Sequence, residues 1–254
     1  MKIGMIVGSG MDWLTPLQEW SEASTPYGYT VTTTIPFGGR DIVVIRRHGP
    51  QLNVPPHLIN YRANLWALRE AGVKGLLATA AVGSLREEIK PGTLALARDF
   101  IDFSKRGGIT IFDRPGDRPK HIDISTPYCP LISSAIEQAA MELGIELGPA
   151  VVYVCVDGPR YETPSEARMF AVWGGDVVGM TSAPEAVLAR EMEMCYASLT
   201  IATNYAAGIS EHPLTHEEVL AGVAKRRQDV RDILERAVAL IPETANCYSV
   251  EGAD

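Results

Sequence analysis

Apolar residues in this chain follow two rhythms. Short continuous runs alternate with stretches in which they recur every three or four positions. The run Ile3 to Val7 ends at Gly8-Ser9-Gly10, and an unbroken apolar run of that length suits a strand covered on both faces. Tyr27 to Ile35 alternates and is rich in Thr; Gly38-Gly39 follows, then the apolar run within Asp41 to Arg46. This pair predicts a hairpin. From Pro55-Pro56 a helix is expected, with Leu58, Tyr61, Leu65 and Leu68 on one stripe, Ile59 and Trp66 beside it, and Gly72 closing it. Gly75 to Val82 and Thr93 to Phe103 read as strands, and Ser104 to Lys120, rich in Gly, Pro, Arg and Asp, as a long loop.

The second half keeps the same beat. Leu131 to Leu143 predicts a helix closed by Gly144, and Ala150 to Val156 a strand. Three stretches then carry S/T-x-x-E: Thr163 with Glu166, Ser182 with Glu185, and Thr215 with Glu218. Each reads as a capping box, in which the hydroxyl satisfies a free backbone N–H and the glutamate reaches back. Pro164 stands at a first helical position, where its missing N–H costs nothing. Val177 to Met180 and Tyr196 to Thr203 are expected strands, and one final helix is expected from Thr215 to Leu240. Alternating strands and helices with one early hairpin predict an α/β fold: a mixed central β-sheet flanked by helices on both faces. With no linker or repeat in the pattern, residues 1–254 are expected to form a single domain.

Charge and cysteine usage narrow the function classes. A formal net charge of -8 argues against nucleic acid as a partner, since duplex binding needs a basic face. It leaves room for a small anion, because local charge can oppose the net field. Cys129, Cys155, Cys195 and Cys247 show no CxxC spacing, so buried reduced thiols in a cytoplasmic protein are expected rather than a metal site or disulfides. The apolar run near Met1 is too short for a signal peptide, and no run is long enough to cross a bilayer.

Ligands of open α/β sheets bind beyond the carboxyl ends of strands. The residues there are Gly8-Ser9-Gly10, Arg47-His48-Gly49, Ala80-Ala81-Val82-Gly83, Asp157 to Glu162, Met180-Thr181 and Asn204-Tyr205. Each has a bland reading as well as a functional one. Gly8-Ser9-Gly10 could offer N–H groups to a phosphate or be a plain tight turn; Trp13 in place of a third glycine argues against a dinucleotide motif. Arg47 could clamp a phosphate through its fork of donors, or Arg47-His48 could be a solvated edge. Tyr161 could stack on a ring and Glu162 accept from it, or they could be core and surface. Asn204 offers a donor and an acceptor, or is a turn residue. His216 by default is exposed.

Together these residues resemble the trimeric purine nucleoside phosphorylases and methylthioadenosine phosphorylases. The likeness runs from Gly8 to about Leu220. It is carried by RHG (47–49), NYRANLWAL (60–68), GSLREEI (83–89), GPRYET (158–163), GMTSAPEAVLARE (179–191) and ATNYAAG (202–208). The resemblance implies that Ser9, Arg47, His48, the backbone at Ala81 and Thr181 hold phosphate, with Met180 under the ribose. It places Tyr161 on the base, and Glu162 and Asn204 at its edges. His48 and Asn204 are the implied catalytic pair. It also implies a homotrimer or dimer of trimers, with His121 of the HIDIS stretch reaching into a neighbouring subunit's site. Two positions depart from the family pattern: Leu52, often a second histidine, and Ala80, often threonine or asparagine.

Asn204, where the adenosine-type members carry aspartate, and Ala206, where they carry another, point to a 6-oxopurine. The amide can donate to O6 and accept from a protonated N7, while Glu162 accepts from N1–H. His216, in THEEVL (215–220), matches the histidine that meets a sugar 5′-hydroxyl, which favours inosine and guanosine. A 5′-methylthioinosine or 5′-methylthioadenosine phosphorylase is the near rival; a hydrolytic nucleosidase and a non-catalytic nucleoside-binding protein are further ones. Inorganic phosphate is a co-substrate, and no metal or organic cofactor is implied.

Overall fold

A computed structural model describes residues 1–244 apart from 16–18, 52, 106–108, 115, 119 and 211. Among the described residues nine strands form one sheet, with six α-helices around it. The strands are β1 (Ile3–Val7), β2 (Ser21–Thr25), β3 (Gly28–Phe37), β4 (Arg40–Arg46), β5 (Gly75–Ser84), β6 (Leu94–Asp102), β7 (Val151–Cys155), β8 (Val177–Gly179) and β9 (Cys195–Tyr205). The helices are α1 (Tyr61–Glu70), α2 (Pro130–Leu143), α3 (Pro164–Val172), α4 (Ser182–Glu191), α5 (His216–Lys225) and α6 (Arg227–Leu240).

The expected mixed sheet is present. β1, β4, β5 and β9 run parallel, so their carboxyl ends share one edge, while β3 and β4 form the expected antiparallel hairpin. Both faces are covered. Ile3, Met5 and Val7 pack with Ile132 and Ile136 of α2 and Ile233 and Leu234 of α6. Ile6, between them in sequence, packs on the other face with Leu65 and Leu68 of α1 and Leu188 of α4. That alternation explains why β1 is apolar at every position rather than every second one.

The sheet also closes on itself, which periodicity did not predict. The strand order is β2-β3-β4-β1-β5-β8-β7-β6-β9, and β9 returns to pair with β5. β1 pairs with β5 only as far as Ala78, and β8 takes over that edge at Gly83. Thr79 to Val82 are therefore left without a strand on that edge, opening a gap at the carboxyl ends of β1 and β4.

Several expectations are corrected. Leu58 does not join the α1 stripe; it lies in a separate 3-10 turn, Pro56–Leu58, and is exposed, while Asn60 caps α1 by accepting from the Ala63 N–H. The final helix is two helices, α5 and α6, meeting at Arg226, whose φ of -104° and ψ of 6° break the regular path. β2 is an additional edge strand. Thr163 and Glu166 do form a capping box, and Thr215 caps α5 through the Glu218 N–H. Ser182 and Glu185 do not: Thr181 is the N-cap of α4, without a side-chain cap bond. Cys129 and Cys155 are free and buried, but Cys195 is disulfide-bonded. Cys247 lies outside the described residues. The CxxC criterion tests only local spacing and is silent on other pairings, so cysteine usage no longer speaks to compartment. No helix among the described residues is long and apolar enough to cross a membrane.

Candidate active site

The gap in the sheet opens into a cavity of about 380 Å³. Ser9, Arg47, His48, Ala81, Tyr161, Glu162, Met180, Thr181, Asn204 and His216 all line it. Of the residues to which the resemblance assigns a role, His121 alone lies elsewhere; it is exposed and does not border this cavity.

β1 and β4 deliver the first group. Arg47 is 3% exposed, and its guanidinium is held at all three nitrogens. Nη1 donates to the Thr79 carbonyl at 3.0 Å, and Nε and Nη2 donate to the two carboxylate oxygens of Glu185 at 2.5 and 2.9 Å. Gly8 makes this approach possible, since a Cβ there would stand 2.4 Å from Nη1. Burial alone would lower the Arg47 pKa, but the Glu185 charge and hydrogen bonds outweigh it and raise it above the ordinary guanidinium value. The Thr79 carbonyl faces the open edge of β5. By the two-residue alternation of a strand, the Ala81 N–H faces the same edge, where the family resemblance leads one to expect a backbone donor to phosphate.

His48 lies beside Arg47 with Nδ1 2.8 Å from the Val54 carbonyl. A carbonyl only accepts, so Nδ1 carries the proton and Nε2 of the neutral ring is an acceptor. Burial lowers the His48 pKa, the Arg47 charge lowers it further, and the Val54 contact opposes them.

β9 and the segment after β7 deliver the second group. A bulge shifts the β5–β9 register between Val82 and Gly83, so that Ala202 pairs with Val82 and Asn204 with Gly83. The extra residue, Thr203, lets two consecutive side chains face the cavity, which a regular strand forbids. The Thr203 hydroxyl donates to Asn204 Oδ1 at 2.8 Å, and Asn204 Nδ2 donates to the Tyr205 carbonyl at 2.8 Å. Because that carbonyl cannot donate, the amide orientation is fixed. One N–H and one lone pair remain for a ligand. Glu162, 8% exposed, accepts from the Ala207 N–H through Oε1 at 2.9 Å, leaving Oε2 for a second donor. Burial also raises the Tyr161 phenol pKa.

β5 spaces the two groups. Thr79 marks Arg47 and Gly83 marks Asn204, four residues apart on an extended strand, roughly 13 Å. His216 and Val219, one helical turn apart on α5, also line the cavity, with Val54, Pro55 and Pro56. Sequence reasoning missed Glu185, Thr203 and Val219. For Thr203 the signal was a Thr-Asn pair at the end of an apolar run; for Glu185 it was an acid six positions after the end of β8 at Gly179.

The fold and cavity define an α/β protein whose pocket joins a buried guanidinium and an imidazole to an oriented amide and a carboxylate. The chain belongs to the phosphorylase superfamily, whose model matches residues 2–239. It is 45% identical over 254 residues to a probable 6-oxopurine nucleoside phosphorylase of Thermococcus kodakarensis, covering 97% of this chain and 95% of that protein. It is 42% identical over 257 residues to a probable S-methyl-5'-thioinosine phosphorylase of Methanopyrus kandleri, covering 100% and 99%. Among solved structures, the Schistosoma mansoni methylthioadenosine phosphorylase in complex with adenine superposes with a TM-score of 0.88 at 32% identity, covering 95% of this chain and 92% of that one.

Proposed function

We propose that the protein catalyses phosphorolysis of 6-oxopurine ribonucleosides, inosine and guanosine, to free base and ribose 1-phosphate. The reaction class is purine nucleoside phosphorolysis, in keeping with the superfamily and the named activities of the relatives. The observation that carries the base preference is the oriented Asn204 amide beside the Glu162 carboxylate in the same cavity as Arg47 and His48. A donor and an acceptor on one amide suit O6 and a protonated N7, and the spare Glu162 oxygen suits N1–H. A 6-aminopurine would leave buried polar groups unpaired, which costs selectivity of several orders of magnitude in comparable sites.

A phosphate oxygen attacks the anomeric carbon as the C1′–N9 bond breaks, and the bonding pair leaves with the purine. No protein nucleophile is needed; the side chains position the reactants and meet developing charge. Arg47, Ser9, Thr181 and the Ala81 N–H hold the oxyanion, and neutral His48 accepts from a phosphate hydroxyl. Tyr161 packs on the base, Met180 lies under the ribose, and His216 meets the sugar 5′-end. Inorganic phosphate is the co-substrate, and no metal or organic cofactor enters this reading. A neighbouring copy in a homotrimer supplies His121.

A second reading has its own support. Val219 shares its helix face with His216, and Val54, Pro55 and Pro56 add apolar lining, which suits a 5′-methylthio group. Both readings share the base and the phosphate. Hypoxanthine release from inosine and from methylthioinosine, with and without phosphate, tests them together. Release that ignores phosphate would point to a nucleosidase, and binding without release to a non-catalytic protein. A higher kcat/KM on the methylthio substrate would favour the second reading.

A further inference from the structure

The buried carboxylate of Glu185 touches neither reactant in the proposed reaction, yet it lies behind the cavity wall and accepts two hydrogen bonds from Arg47. It is 1% exposed, in the first turn of α4. Oε1 accepts from Arg47 Nε, and Oε2 accepts from Arg47 Nη2 and from the Tyr196 hydroxyl at 2.8 Å. Tyr196 is fully buried, and its hydroxyl lies 3.5 Å from Ser182 Oγ, which in turn lies 2.8 Å from the Tyr128 hydroxyl. The carboxylate is therefore fixed from behind by a chain of hydroxyls while its front carries the guanidinium.

This arrangement does two things to Arg47. It uses three of the five N–H groups, counting the Thr79 contact, so the remaining two have a set direction. It also balances the cation, so an incoming oxyanion meets an ion pair rather than a bare buried charge. We propose that Glu185 is the positioning residue of the phosphate subsite: it aims the Arg47 fork at the oxyanion and sets the subsite's charge. This inference rests on reading the cavity as a phosphate site. Without Glu185 the guanidinium would lose its planar bidentate partner and turn away from the cavity.

The proposal has a sign that a structural role lacks. With Arg47 present, Glu185→Gln removes the aiming carboxylate, and phosphate binding weakens. With Arg47 replaced by Gln, Glu185 is a buried anion beside the subsite, so Glu185→Gln then improves phosphate binding. The experiment measures phosphate KM and inosine KM for the wild-type protein, Glu185→Gln, Arg47→Gln and the double variant. The phosphate-dependent rise in Tm is measured alongside, as a readout that needs no nucleoside. The expected result is a phosphate KM raised roughly 10- to 100-fold in Glu185→Gln, as for a lost charge-assisted hydrogen bond. Inosine KM stays within about twofold, and the double variant binds phosphate more tightly than Arg47→Gln. An unchanged phosphate KM in folded Glu185→Gln overturns the proposal, as does equal loss in both backgrounds. If Glu185→Gln does not fold, the double variant against Arg47→Gln decides alone: tighter phosphate binding supports the proposal, and equal or weaker binding overturns it. A wild-type protein that binds phosphate but releases no base from inosine sinks the functional reading and leaves the Tm comparison to judge Glu185.

Discussion

Asn204 is the residue whose geometry says most about selectivity, because one of its polar ends is held by a group that permits one orientation. The Tyr205 carbonyl, which only accepts, prevents the amide from flipping, and the Thr203 hydroxyl donates to the other end. Asn204→Ala is expected to lower kcat on inosine about 100-fold or more, comparable to losing one preorganised transition-state contact; near-normal turnover would remove Asn204 from the chemistry. Asn204→Asp replaces the donor with an acceptor and should shift the inosine-to-adenosine ratio of kcat/KM toward adenosine. His48 carries a pH signature. Its folded pKa lies below its ordinary value, through burial and then Arg47. Below about pH 6.5 the unfolded chain takes up a proton that the folded chain still refuses. Stability is therefore fully present above that pH and is lost as pH falls from it toward the folded pKa. The Tm should drop more between pH 7 and pH 5 in the wild-type protein than in His48→Gln, and parallel curves would contradict the assigned environment. At this scale the strand-end residues were legible because a polar or charged group directly after an apolar run has few reasons to be there. Glu185 was not, because S-x-x-E describes a capping box equally well and only packing shows the acid turned inward to Arg47.

Elements were legible where one face is buried and the pattern is regular. β1, the β3–β4 hairpin and α2 lie within a residue or two of their expected spans, since alternation and three-to-four spacing follow directly from burial. β2 escaped because Ser21–Thr25 is polar and lies at the sheet edge, where little apolar surface is covered. The break between α5 and α6 escaped because Val223 and Val230, on either side of it, are both buried and keep the helical rhythm. α5 matters to the site because it carries His216 and Val219, and it packs on β9 at the bulge. Gly222 sets that distance: a Cβ there would meet Thr203 Cβ at 2.8 Å and its backbone at 2.9 Å. On an isolated helix Gly→Ala would stabilise by about 1 kcal/mol, but overpacking against backbone costs roughly 1–3 kcal/mol. Gly222→Ala is thus expected to lower Tm and raise the nucleoside KM as α5 moves from Asn204. A higher Tm with unchanged KM would mean that the α5–β9 contact yields freely.

On the scale of the whole molecule, the return of β9 to β5 gathers the site. It brings Asn204 to β5, whose open stretch also faces Arg47, although the two residues are far apart in sequence. No local pattern encodes that closure; each strand reads as a strand whether or not the last one comes back. The same limit applies beyond one chain. His121 is exposed and does not border the cavity of its own chain, and mixing copies tests whether it serves a neighbouring one. In a cyclic homotrimer, a site built from Asn204 of one chain and His121 of the next is intact when a His121→Ala chain is followed by an Asn204→Ala chain. Random mixing at equal amounts then restores about a quarter of the sites. Co-expressed His121→Ala and Asn204→Ala chains should release hypoxanthine at about that fraction of the wild-type rate, well above the mean of the two parents alone. If His121 instead served its own chain, or no site at all, the mixed protein would never exceed that mean.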